Sequence, residues 1–243
     1  MHPTSKILLP LDTDTPEQAV AFAELLKDEV GGFKIGLELV NAAGTGIFDQ
    51  IKDAGGPETK IFYDCKFHDI PNTVAGAVRA AARRGLWMLN VHATGGSVML
   101  RAAVAAAGEG ADSAGVAKPL VIAVTVLTSL SAAMLVEELR VADPLPLYVR
   151  RLAQRAQEAG CDGVVASPHE IASIRAVCGP EFLIVTPGVR PAGADKGDQQ
   201  RVMTPKEAIV AGADWLVVGR PITAAPDPVT AARAINEECE VTL

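Results

Sequence analysis

The chain has 243 residues, 49% hydrophobic and 21% charged, enough to bury a large core in one large domain or two small ones. A formal net charge of -7 with no Lys/Arg cluster argues against a nucleic-acid surface, so any bound phosphate has to be met by a few placed groups. No apolar run approaches the roughly 20 residues of a membrane span, and MHPTSKILLPLD at the start lacks a signal-type apolar segment, so a cytoplasmic protein without a membrane partner is expected. Cys65, Cys161, Cys178 and Cys239 form no CxxC or Cys/His pairing, which points to core or surface thiols instead of zinc or disulfides.

Apolar β-type runs alternate with Ala-rich helical stretches along the whole chain, the pattern of βα units around a parallel sheet. Strands are predicted at Lys6 to Leu11, Gly32 to Ile35, Lys60 to Asp64, Met88 to Val91, Leu120 to Val126, Gly163 to Ala166, Leu183 to Thr186 and Trp215 to Val218. Helical stretches fall at Pro16 to Glu29, Val74 to Arg84, Val98 to Ala107, Leu147 to Ala159, Pro168 to Val177, Pro205 to Ala211 and Pro228 to Glu238. Gly85, Gly160 and Gly212 punctuate helix ends. Eight units of about 30 residues fit a single (β/α)8 barrel over residues 1–243 better than an open doubly wound sheet, and no GxGxxG follows the first strand.

In such a barrel the chemistry gathers at the C-terminal ends of the strands. Polar residues collect there: Asp12 after strand one, Lys34 on strand two, Asp64 and Lys66 at strand three, His92 at strand four, Thr128 and Ser129 after strand five. Strand alternation aims Asp64 and Lys66 the same way and Tyr63 and Cys65 the other. Taken singly, each has a plain reading: a surface salt bridge for the DxK, a helix N-cap for Asp12, a core histidine for His92, a cap for Thr128-Ser129. Charges at three successive strand ends on one rim are harder to dismiss, because an ammonium in the interior needs a carboxylate beside it. Asp69 falls on the loop after strand three, with Ile70-Pro71 forcing an extended or turn conformation and Asn72 or Thr73 as a helix cap.

After strand seven comes TPGVRP with Arg190, then a loop rich in Gly and charge through Gln199; after strand eight comes Gly219-Arg220-Pro221. These loops are the usual phosphate site of the fold, and Arg220 supplies a multi-donor guanidinium, a rim salt bridge being its plainer alternative. The stretch from Gly188 to Arg201 is long enough to close over a ligand as a lid.

DCKFHDIPNT, followed in order by VTVLTS, TPGVRP, GDQQR and VGRPI, resembles the orotidine 5'-phosphate decarboxylase family, and the resemblance runs from Asp12 to about Pro228. Cys65 stands where that family more often has Leu. The resemblance implies a homodimeric carboxy-lyase without metal or organic cofactor that acts through a Lys34, Asp64, Lys66, Asp69 array. Asp69 would come from the partner subunit, and Lys66 would stabilise and protonate a C6 carbanion. It further implies ribose contacts from Asp12, Lys34 and the partner's Thr73, and pyrimidine contacts from Thr128 and Ser129. Phosphate contacts would come from Gln199, Gly219, Arg220 and Arg190, with His92 one step removed. The nearest alternative is a magnesium-dependent decarboxylase or aldolase of a sugar phosphate, for which Glu38 is a possible metal ligand. A non-catalytic nucleotide-binding module that has kept the fold is the alternative of another class.

Overall fold

The computed structural model describes residues 5–191 and 203–240. Eight parallel strands close in sequence order into a barrel: β1 (Ile7–Pro10), β2 (Gly32–Ile35), β3 (Ile61–Phe67), β4 (Met88–His92), β5 (Leu120–Val124), β6 (Gly163–Val165), β7 (Leu183–Pro187) and β8 (Trp215–Val217), with β8 pairing back to β1. The eight expected strands are all present: β1, β5, β6 and β8 are trimmed by a residue or two, β2 matches, and β4 and β7 run one residue further. β3 departs most, because it runs through Lys66 to Phe67 instead of stopping at Asp64.

Alternation splits each strand between two cores. The outward residues, such as Leu9, Phe33, Ile61, Leu89, Val121, Val164, Ile184 and Leu216, pack under the helices in one continuous cluster. The inward residues Leu8, Phe62, Ile122 and Val185 come from the four odd strands and, with Met88, fill the barrel floor. Two even strands make room for them with glycine: Gly32 lies beside Leu8, and Gly163 beside Ile122. Below this layer the N-terminal mouth is stoppered by Trp87 and Trp215, 4.9 Å apart edge to face, with Lys60 Nζ 5.4 and 5.2 Å from their ring centroids. Asp162 and Asp214 each sit just ahead of a strand and accept a neighbouring strand's N–H, from Val121 and Ile184, at 2.7 Å.

The helices depart from the expectation in instructive places. Two short helices, Leu37–Ala43 and Ile47–Gly55, join β2 to β3; Gly36, Gly44 and Gly46 break the apolar periodicity that would have announced them. The helix after β3 begins at Pro71, whose missing N–H costs nothing in a first turn, and Ile70 is its N-cap; Asn72 and Thr73 are inside the helix and cap nothing. The helix after β4 is longer than expected, Gly96–Ala114, and the sixth unit opens with a 3-10 turn at Pro168–Glu170 held by a Ser167/Glu170 capping box. A four-residue helix, Arg220–Thr223, follows β8. No described helix is long and apolar enough to cross a membrane.

A methyl group added at Gly163 would run into the carbonyl oxygen and Cβ of Leu183 on the paired strand. Gly163→Ala should therefore lower the unfolding free energy by about 1–3 kcal/mol, the usual cost of overpacking. Urea denaturation measures it, and an unchanged midpoint would mean that β6 and β7 do not approach this closely.

Candidate active site

Above the filled floor the barrel is hollow. A cavity of about 520 Å³ opens at the C-terminal ends of the strands, lined at its base by Phe62, Val165 and Val217. One side is formed by Asp12, Lys34, Asp64 and Lys66, the other by Pro187, Gly188, Arg190, Gly219, Arg220 and Thr223.

The charged side is a line of alternating sign. Lys34 Nζ lies 3.1 Å from Asp12 Oδ1 and 3.3 Å from Asp64 Oδ2, while Lys66 Nζ lies 2.7 Å from Asp64 Oδ1. Lys34 is buried on β2, and the two carboxylates replace the water its ammonium has lost. Burial of Asp64 pushes its carboxyl upward, but Lys34, Lys66 and the hydrogen bonds from Lys66 and Asn90 outweigh it, so it stays below the usual carboxylate range. Asp12, read in one alternative as a helix cap, leaves that role to Thr15, whose hydroxyl accepts from Gln18 N. Gly36 gives this group its clearance, since a Cβ there would stand 3.1 Å from Lys34 Nζ and 3.3 Å from Asp12 Oδ1.

Lys66 is held in an unusual backbone conformation, φ 49°, the left-handed region that most side chains avoid. It falls where the β3–β4 register shifts. The residue opposite, Asn90, is fully buried and donates from Nδ2 to Asp64 Oδ1 at 2.7 Å. Sequence reasoning missed it, although an Asn on the inward parity of Met88 and His92 is the available signal. His92 is half-buried and its ring stacks on His68 at 5.2 Å. Burial, then the neighbouring His68 and Lys66, hold its imidazole below the usual range against the opposing pull of Asp64, which favours the neutral ring.

At the other side, Gly188 adopts φ 79° and Gly219 passes so close to Pro10 that a Cβ would stand 2.8 Å from the proline ring. The first needs glycine for its left-handed φ, the second for its contact with Pro10. Arg190 N donates to Met203 O at 3.0 Å, and Val189 bridges to Met203, which ties together the two ends of the β7–α loop. Thr223, not anticipated from sequence, lines the same wall.

The structure thus gathers Asp12, Lys34, Asp64, Lys66, Thr128, Arg190, Gly219 and Arg220 around one cavity. Ser129 is exposed and does not line it; Gln199 and most of the expected lid lie outside the described residues. Asp69 and Thr73 are exposed on the loop and helix after β3, away from their own chain's cavity, and Asp69 Oδ1 accepts from the backbone N–H of Ile70 at 2.6 Å. Glu38 is exposed and lines no part of the cavity. Among the described residues no group of three or more His, Cys, Asp or Glu is placed to hold a metal ion. The cysteines are free, and burial pushes the thiols of Cys65 and Cys161 up to about 12.

Residues 5–235 match the model of the family described as "Orotidine 5'-phosphate decarboxylase / HUMPS family". An orotidine 5'-phosphate decarboxylase from Moorella thermoacetica is 54% identical over 241 residues, covering 99% of this chain and 94% of that one. One from Nostoc is 49% identical over 233 residues, covering 96% of each. The crystal structure of orotidine 5'-phosphate decarboxylase from Lactobacillus acidophilus superposes with a TM-score of 0.85 at 38% identity, covering 98% of this chain and 100% of that one. The barrel, its charged rim and full-length similarity of this degree place the chain in the orotidine 5'-phosphate decarboxylase / HUMPS family.

Proposed function

We propose that this protein decarboxylates orotidine 5'-phosphate to UMP, the last step of pyrimidine biosynthesis, in the cytoplasm and with chain 1–243 acting as one catalytic barrel. The observation that carries the reading is the Asp12, Lys34, Asp64, Lys66 line on one side of the cavity with Arg190 and Arg220 on the other. A nucleoside monophosphate has the matching polarity, with a dianion at one end, a ribose between, and the reacting carboxylate at the other.

Loss of carbon dioxide leaves an electron pair on C6 of the pyrimidine, in the plane of the ring, where no carbonyl delocalises it well. An ammonium fixed at that carbon stabilises the developing charge and then delivers the proton. Lys66 fills this role: Asp64 fixes it from one side at 2.7 Å, and the partner's Asp69 fixes it from the other. Asp64 also faces the departing carboxylate, so crowding of like charge is relieved as carbon dioxide leaves. Lys34 and Asp12 meet the ribose hydroxyls together with the partner's Thr73, Thr128 and Ser129 read the pyrimidine edge, and Arg190, Gln199, Gly219 and Arg220 take the phosphate. Binding energy from that remote phosphate is what holds the reacting carbon against Lys66.

The sugar-phosphate reading of the same family needs a divalent cation, with Glu38 among its ligands. Glu38 stands outside the cavity, which disfavours it. Absorbance of orotidine 5'-phosphate followed with purified protein should show turnover that EDTA leaves unchanged; activity abolished by EDTA and restored by magnesium would favour the sugar-phosphate reading.

Arg220→Ala should lose about 2–3 kcal/mol in kcat/KM, the size of a hydrogen bond to a charged group. Parental kinetics on the phosphorylated substrate would remove Arg220 from the site.

Asp69 and Thr73 lie outside their own cavity, and a two-fold dimer would let each loop cross to the other barrel. Lys66→Ala and Asp69→Ala should each be nearly inactive alone. Refolded together in equal amounts, about half the dimers are mixed, each with one native site of two, so about a quarter of the parental activity returns. No recovery from mixed dimers verified by mass spectrometry would show that Asp69 serves its own chain.

A further inference from the structure

Between the register pairs Tyr63↔Leu89 and Phe67↔Val91, β3 contributes three residues, Asp64, Cys65 and Lys66, and β4 contributes one, Asn90. A bulge of this kind normally leaves backbone groups without ladder partners. Here the one opposing residue meets all three. Asn90 O accepts from Cys65 Sγ at 3.0 Å, its Oδ1 accepts from Lys66 N at 2.6 Å, and its Nδ2 donates to Asp64 Oδ1 at 2.7 Å. The side chain has no exposure to water.

We infer that Asn90 is the positioning residue of the charge array: its amide replaces the missing ladder, holds Lys66 in its left-handed backbone conformation and fixes the rotation of the Asp64 carboxylate. With Asp64 Oδ1 occupied by Asn90 and Lys66, Oδ2 is left facing Lys34. Only a primary amide meets both demands at this length, an acceptor for an N–H on one arm and a donor to a carboxylate on the other. Leucine would strand both buried partners, and aspartate would set a second carboxylate against Asp64. The titratable groups around the pair are Lys34 from β2, Cys65 and Lys66 on β3, and His92 from β4 with His68 stacked on it.

The inference deepens the proposed decarboxylation, and its tests separate the two. Turnover of orotidine 5'-phosphate by the parent settles the activity first. Given that activity, Asn90→Leu should lower kcat by about 10- to 100-fold with a much smaller change in KM, because the phosphate side of the cavity is untouched. The acid limb of kcat/KM should move to higher pH, since a hydrogen bond that favours the Asp64 carboxylate is gone. Asn90→Asp preserves shape and the acceptor for Lys66 N. Its activity should be lowest at alkaline pH, where both carboxyls are ionised, and rise on acidification as one proton is shared between them and the donor returns. A loss independent of pH in Asn90→Asp, or an Asn90→Leu enzyme with parental kcat and acid limb, overturns the inference. Should neither variant fold, amide exchange in the parent decides: the Lys66 N–H should be protected, and exchange at the rate of an open loop would show that Asn90 does not hold it.

Discussion

The constraint on which the rest of this molecule depends is the burial of one carboxylate, Asp64, between two ammonium groups. Left alone in the barrel, that carboxylate would take up a proton. Lys34 and Lys66 keep it charged, and at an effective dielectric of about 20 each pair at 4 Å contributes on the order of 4 kcal/mol. Local sequence geometry does not bring Lys34 near Asp64, and strand alternation puts Lys66 on the same face as Asp64 without by itself bringing the two into contact. Lys34 arrives because β2 pairs with β3, and Lys66 because a bulge turns it back toward a residue two positions earlier. The pairing of β2, β3 and β4 is therefore what keeps the Asp64 carboxylate ionised.

The two mouths of the barrel solve opposite problems. The N-terminal mouth is sealed by Trp87 and Trp215 under Lys60, and the odd-strand layer above it leaves no room for a ligand. The C-terminal mouth carries residues that a stability-driven barrel would avoid: a buried lysine, a mostly buried carboxylate and a non-glycine residue at positive φ. Such features persist where the surrounding structure over-determines them, and here the surroundings are rigid strands instead of loops. The opposite side of the cavity, with Arg190 and Arg220, is built the other way, on loops after β7 and β8 that carry Gly188 at φ 79° and Gly219 packed against Pro10. Strands thus carry the Lys/Asp line, while loops carry the two arginines.

Much of this was legible in the chain itself. Strands of a parallel barrel are buried on both faces, so ILLP, GFKI and LVIAV read as short apolar runs, and β2 was placed to the residue. Lys34, Asp64 and Lys66 stood out because charge in such a run is costly. The end of β3 was not legible, since two charges in DCKF read as a terminus and only Asn90 across the ladder lets the strand continue. The helices at 37–43 and 47–55 were hidden by their glycines, and the cap expected of Asn72 or Thr73 was displaced by a proline that starts the helix earlier. Thr223 has no local signal at all, because only the return of β8 to β1 brings it to the cavity.

The array is also asymmetric, and the asymmetry bears on which cation can do chemistry. Lys34 contacts two carboxylates, Asp12 and Asp64, and its side chain is 9% exposed. It is electrically answered and sterically enclosed. Lys66 contacts one carboxylate within the described chain, and its side chain is 33% exposed. A proton donor must reach the reacting atom and must be recharged from solvent after each turnover, and near-complete burial of the ammonium hinders both. Lys66 alone combines a fixed base on one flank with an open approach on the other. A second carboxylate on that open flank would complete its hold without burying it, provided that it came from outside the barrel. Asp69, three residues beyond Lys66, is exposed and does not line its own chain's cavity, so its own Lys66 does not have it as that second carboxylate.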